Sequence, residues 1–134
     1  TVNDTFPLGP YQMSTFSQMM MTHGINFQHI ATRRNENYLI LNKLLRDIAL
    51  FPKAHLDMVP LGFPIRVRNR EGLQAHLLNH NVASGVHWNL QGVIPTKYEE
   101  SHRLSKDIIT LPCDQRYNED DMNYMAEIIR KYCQ

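Results

Sequence analysis

Leu104-Ser105-Lys106-Asp107-Ile108-Ile109-Thr110-Leu111-Pro112-Cys113-Asp114-Gln115-Arg116-Tyr117, continuing through Asn118-Glu119-Asp120-Asp121-Met122 to Ile128-Ile129, decides how this chain is read. Ile108 to Leu111 is a short apolar run that reads as a buried strand, and Pro112, which has no N–H to give a ladder, stops it. A short polar loop follows. Asn118 and Asp121 then form a variant capping box, in which each side chain can serve the other residue's backbone amide. On the helix so started, Met122, Met125, Ile128, Ile129 and Tyr132 recur at three- and four-residue steps, a stripe that requires a core to face.

Working upstream, a second stripe comes from Phe27, Ile30, Ala31, the aliphatic stem of Arg34, Tyr38, Leu41, Leu45 and Ile48, predicting a long helix over about 26–47. Gly62-Phe63-Pro64-Ile65-Arg66-Val67-Arg68 alternates apolar with basic residues, as a half-buried strand does, and its prolines favour an edge or a strand start. Asn69 can cap a helix carrying Leu73, Leu77 and Leu78, and Val82 to Trp88 reads as a returning strand. After a loop with Gly92 and Pro95, a short helix is expected over 99–104. At the other end, residues 1–12 are an irregular lead-in, and Ser14 caps a short helix through Met19-Met20-Met21 that Gly24 ends. The expected fold class is α+β: a small antiparallel or mixed sheet covered by helices, one domain over 1–134.

Composition narrows the partners. The chain has 134 residues and a mass of 15.7 kDa, enough for one core but short for a cofactor-dependent enzyme. Its 14 basic and 13 acidic residues are scattered, which argues against nonspecific nucleic-acid binding and makes Arg33-Arg34 a solvated helix face. Cys113 and Cys133 give neither a disulfide framework nor a thiolate metal site, so a reducing cytoplasm is the expected setting. No apolar run has the length of a membrane span, and Thr1-Val2-Asn3-Asp4-Thr5 lacks the features of a signal peptide. A soluble protein with no membrane partner is expected.

Several constellations invite chemistry. His76 and His80 stand four apart on one helical face, a spacing that can hold zinc, but the glutamate base is missing and no third ligand lies at a telling distance. Surface or half-buried histidines account for the pair, and no metal is expected. Met19 to Met21 could line an adaptable interface, yet consecutive residues point around a helix in different directions, which favours ordinary packing. Cys113 would be a nucleophile only if Arg116 stabilised its thiolate and a histidine base stood close, and none is adjacent in sequence. Glu119, Asp120 and Asp121 suit the positive end of a helix. What remains is His87 and Trp88, and Arg116, at strand ends leading into loops, where binding residues concentrate. Arg116 offers a planar fork for phosphate or carboxylate, and Trp88 a flat apolar surface for a sugar or base. The structural alternative places Trp88 in the core and pairs Arg116 with a helix-start acid.

Taken in order, these segments resemble the C-terminal end of the DegT/DnrJ/EryC1/StrS family of pyridoxal-phosphate-dependent sugar aminotransferases. Met13-Ser14 looks like the family's Met-Ser helix start, and Arg33-Arg34-Asn35-Glu36-Asn37-Tyr38 like its Arg-Arg-x-x-Asn/Ala-x-x-Tyr helix. Pro64-Ile65-Arg66-Val67 through Asn69-Arg70 to Leu73 is similar to its small-domain strand and turn. Val86-His87-Trp88 is similar to its Val-His-Tyr/Trp, and Leu104-Ser105 through Leu111-Pro112 to Asp120 to its closing motif. Two features depart from the pattern. Pro10-Tyr11-Gln12 replaces the family's Asn-x-Arg before Met-Ser, and the interval from Ser14 to Arg33 is short.

The resemblance implies the C-terminal small domain of a fold-type I aminotransferase. Such an enzyme moves an amino group, usually from glutamate, to the keto group of a nucleotide-linked sugar at a site shared between two subunits. Pyridoxal phosphate, its lysine and its ring-nitrogen aspartate would belong to an N-terminal large domain of the parent. None is expected in this chain, since Lys43, Lys53, Lys97, Lys106 and Lys131 match no Schiff-base position. The isolated chain would therefore be inactive. It would contribute substrate wall through His87, Trp88 and Arg116, together with part of a homodimer contact, and would expose the apolar Met13–Met21 segment with Phe16. The alternative is a non-catalytic domain that binds a sugar nucleotide or a partner helix.

Overall fold

The computed structural model describes residues 12–53, 58–87, 89–90 and 92–133. Helix α1 (Thr15–Met19) runs into a π-helical turn (Met20–Gly24), followed by α2 (Phe27–Leu44), β1 (Phe63–Arg66), α3 (Arg70–Asn79), α4 (Glu99–Asp107), β2 (Ile108–Leu111) and α5 (Glu119–Cys133). Four helix starts are set by the predicted kind of residue. Ser14 accepts from the Ser17 amide, Asn26 from His29 and Asn69 from Gly72, while Asn118 accepts from Asp120 and Asp121 and its own amide donates to the Asp121 carboxylate.

The two strands pair antiparallel, with Phe63 opposite Leu111 and Ile65 opposite Ile109. Period-two alternation turns those four side chains to one buried face, so the sheet offers a continuous apolar surface to the helices. Pro64 sits opposite Thr110, whose N–H and C=O both turn outward to Gly85, so the missing proline donor costs β2 nothing. A Cβ at Gly62 would lie 2.9 Å from the Leu111 carbonyl oxygen, which keeps the approach to β1 a glycine. Onto this face pack Tyr38, Leu41 and Leu45 of the α2 end, Leu73 and Leu77 of α3, and Met122, Met125, Ala126, Ile128 and Ile129 of α5. The Tyr38 ring meets Phe63 edge-on at 5.0 Å between centroids. Full burial of side chains of this size contributes about 1.5–3 kcal/mol each.

Several expectations need correction. Val82 to His87 does not form a strand: it meets the sheet at a single bridge, Gly85 to Thr110. Val82 is buried, but Val86 and His87 are exposed, and a glycine at the pairing position has no side chain to pack and a large backbone entropy to lose. The long helix stops at Leu44, and its first turn faces outward, with Phe27 52% exposed. Leu78 is also exposed, and α4 continues to Asp107. Met19 to Met21 are not packed, which corrects their reading as ordinary core and agrees with the exposure expected of a lone small domain. Met13, Phe16, Met19, Met20 and Met21 are all exposed, and neither α1 nor the turn after it buries a residue. Among the described residues no helix is long and apolar enough to cross a membrane.

Candidate functional site

The loop from Pro112 to Asn118 joins β2 to α5, and α2 holds it. Asn37, fully buried, donates through Nδ2 to the carbonyls of Cys113 (3.4 Å), Asp114 (3.0 Å) and Tyr117 (3.1 Å). The Cys113 and Tyr117 carbonyls gain their donor in this way, while that of Asp114 also accepts from the Tyr117 N–H at 3.2 Å; leaving such a carbonyl unpaired inside the protein is costly. Three residues earlier, on the same helical side, Arg34 donates from Nε to the Gln115 side chain at 2.9 Å and from Nη1 to the Pro60 carbonyl at 2.9 Å. Arg34 is thus a part-buried clamp between the β2–α5 loop and the approach to β1, and the reading of Arg33-Arg34 as a solvated face holds only for Arg33, which pairs with Glu36.

The clamp fixes the backbone from which Arg116 projects. Its Nε and Nη2 donate to the two Asp114 carboxylate oxygens, each at 2.8 Å, and its backbone N–H donates to the same carboxylate. The expected helix-start partner is therefore replaced by Asp114, because a residue two positions away on the same turn is reached without extending the chain. The hydrogen bonds from Arg116 hold the Asp114 carboxyl below its usual range, and Asp114 in turn raises the guanidinium. The guanidinium stands 5.6 Å above the Tyr117 ring, and its side chain is 73% exposed, so it meets solvent as a positioned fork.

The other sequence candidates separate from this centre. His87 is exposed just beyond the Gly85 bridge, and Trp88 lies outside the described residues. No hydrogen bond or ring contact joins His87 to Arg116 among the described residues. Cys113 is completely buried and its thiol is pushed up to about 11, chiefly by burial, so it stays protonated and is no nucleophile. His76 and His80 meet with their rings tilted, 4.4 Å between centroids, His80 Nδ1 lies 2.8 Å from the His76 carbonyl, and His76 packs on Tyr132. No cluster of metal-ligating side chains occurs among the described residues. Sequence reasoning missed Asn37 and the clamping role of Arg34. Their signal was an arginine and an asparagine three apart beside the apolar stripe of α2, where solvated residues are expected.

The model of the DegT/DnrJ/EryC1/StrS aminotransferase family matches residues 11–130. The chain belongs to that family. Among solved structures it is similar to the sugar aminotransferase CalS13 from Micromonospora echinospora, with a TM-score of 0.67 and 18% identity over 86% of this chain and 33% of that one. It is also similar to a DegT DnrJ EryC1 StrS aminotransferase from Brucella abortus, with a TM-score of 0.62 and 21% identity over 77% of this chain and 31% of that one. At these identities the likeness shows a shared fold, and the chain spans about a third of either relative. Comparison with curated proteins found no match. Within the matched region, Arg34, Asn37 and Tyr38 tie α2 to the β2–α5 loop and to β1.

Proposed function

We propose that the chain is the C-terminal small domain of a pyridoxal-phosphate-dependent aminotransferase that transfers an amino group from an amino acid such as glutamate to a keto-sugar nucleotide. The observation that carries this reading is the family match over 11–130, combined with a chain that spans only a third of solved relatives. The chain's own residues do not fit the cofactor. All five lysines are exposed, whereas an imine-forming lysine is kept neutral by desolvation or a neighbouring charge. The cofactor therefore belongs to an N-terminal domain of the parent, and this chain alone is inactive.

In this reading Arg116 binds a phosphate oxygen of the substrate, with Asp114 orienting its fork and Asn37 and Arg34 fixing the loop. His87 and Trp88 add a hydrogen bond and an apolar cover for the sugar. The exposed face of Met13, Phe16 and Met19 to Met21 forms part of the homodimer contact, and it is also the surface that a non-catalytic interaction domain would use. A cytoplasmic setting suits the nucleotide-sugar substrate and the protonated, unpaired Cys113.

Steady-state kinetics on the full-length parent test the reading. Removing a charge-assisted contact should lower kcat/KM for the sugar nucleotide roughly ten- to a hundredfold in Arg116→Ala. The melting temperature should hardly change, because the Asp114 pair is largely exposed on its arginine side. Unchanged kcat/KM would leave Arg116 a surface ion-pair partner.

A further inference from the structure

Away from Arg116, an open cleft of about 1160 Å³ lies between the start of α3, Asn89 with residues 92–96, and α4. Its charged lining is Arg68, Arg70, Arg103 and Lys106 against Glu71 and Glu99, in a chain whose charges otherwise nearly cancel. Both glutamates sit in the first turn of a helix, where the dipole already favours them. A smaller hollow beside the cleft shares Arg68 and Arg103 with it.

The four cations differ in how far they are committed. Arg70 is fixed: Nη1 donates to the Ser105 carbonyl, tying α3 to α4, while its Nε is buried with no hydrogen-bond partner. Arg103 pairs with Glu100, but both side chains are mostly exposed, so water already weakens that pair and a ligand can replace it. Arg68 and Lys106 are exposed and have no partner among the described residues. A cleft that gathers uncommitted cations around a fixed guanidinium has the chemistry of an oxyanion receptor, since concave walls concentrate the field of like charges. Two separate free cations suit an anion with two charged groups better than one with a single centre.

We propose that this cleft binds a diphosphate-bearing anion, gripped by Arg68 and Lys106 beside the anchored Arg70. The site is independent of the Arg116 reading, for neither His87 nor Arg116 lines it.

The test is calorimetric titration of the 134-residue chain with inorganic pyrophosphate at low ionic strength. Saturable one-to-one binding is expected, weakening as sodium chloride is raised. The Arg68→Gln/Lys106→Gln double variant should bind at least about tenfold more weakly with an unchanged melting temperature, because the side chains it removes are exposed and unpaired. Lys43→Gln, which removes an exposed cation far from the cleft lining, should bind like the unaltered chain. Uridine diphosphate bound through the same two residues supports the site as well, and its excess affinity over pyrophosphate measures what the nucleoside adds. Absence of saturable binding, equal affinity for sulfate and pyrophosphate, or full binding by the double variant would each overturn the proposal.

Discussion

The β2–α5 loop and the Met13–Gly24 segment invert the usual relation between composition and order. The loop, Pro112 to Asn118, is mostly polar, yet Asn37 and Arg34 reach into it from α2 and fix its backbone at three carbonyls and one side chain. The segment is rich in Met and Phe, yet those side chains face outward and no residue of α1 or of the turn after it is buried. Apolar content favours burial only where a partner surface exists, whereas one buried amide with three acceptors can hold a polar loop.

Breaking the loop's anchor should have the largest effect. Asn37→Ala strips the Cys113 and Tyr117 carbonyls of their side-chain donor and leaves that of Asp114 with the Tyr117 N–H alone, and the expected cost is about 3–4 kcal/mol in urea denaturation. A loss below about 1 kcal/mol would show that water replaces the amide and that the loop is not held as described.

The Cys113 thiol gives a second measure of the same region. Burial raises its pKa from 9.0 to about 11, so the folded state holds the proton more tightly than the unfolded chain. That stability is fully present below pH 9 and is lost as pH rises from there through about 11, by about 2–3 kcal/mol. Urea midpoints across that range check it, as does a thiol reagent at neutral pH, which should modify exposed Cys133 and spare Cys113 in the folded chain. Equal reactivity of the two cysteines would mean that the loop opens readily.

On the acid side the sign reverses. Asp114 is held below its ordinary 3.8 chiefly by the Arg116 hydrogen bonds, so its contribution is present above that value and is lost as pH falls below it. Asp114→Asn should flatten the acid limb of the stability profile. An unchanged limb would assign acid loss to other carboxylates.

The smallest stability effect belongs to the apolar segment. Phe16→Glu should change the melting temperature very little, because Phe16 is 67% exposed. It should instead abolish concentration-dependent self-association of the chain in sedimentation runs. A clean monomer before the substitution would remove the contact role proposed for this face.

Much of the fold was legible because its signals are local. The capping residues Ser14, Asn69 and Asn118, the Ile108–Leu111 strand with its proline stop, and the α5 stripe all depend on side chains within a few positions of one another. The Val82–His87 segment was misread because alternating apolar character does not reveal whether a glycine-centred stretch will find a ladder. Of the site, Arg116 was legible as an exposed fork, while the structural alternative, a pair with a helix-start acid, named a different acid from the Asp114 it meets. The clamp beneath it was not visible at all, since its bonds join residues 76 to 81 positions apart.

By itself, then, the sequence determined the helix starts, the strand that centres the sheet and the family to which the chain belongs, because helical and strand periods and caps are set by neighbours along the backbone. Only the tertiary structure decided that Asn37 and Arg34 hold the β2–α5 loop, that Val82 to His87 meets the sheet at one bridge and that four cations meet in one cleft. Burial and hydrogen-bond partnership are properties of atoms brought together from distant parts of the chain, and local periodicity carries no record of which distant atoms those will be.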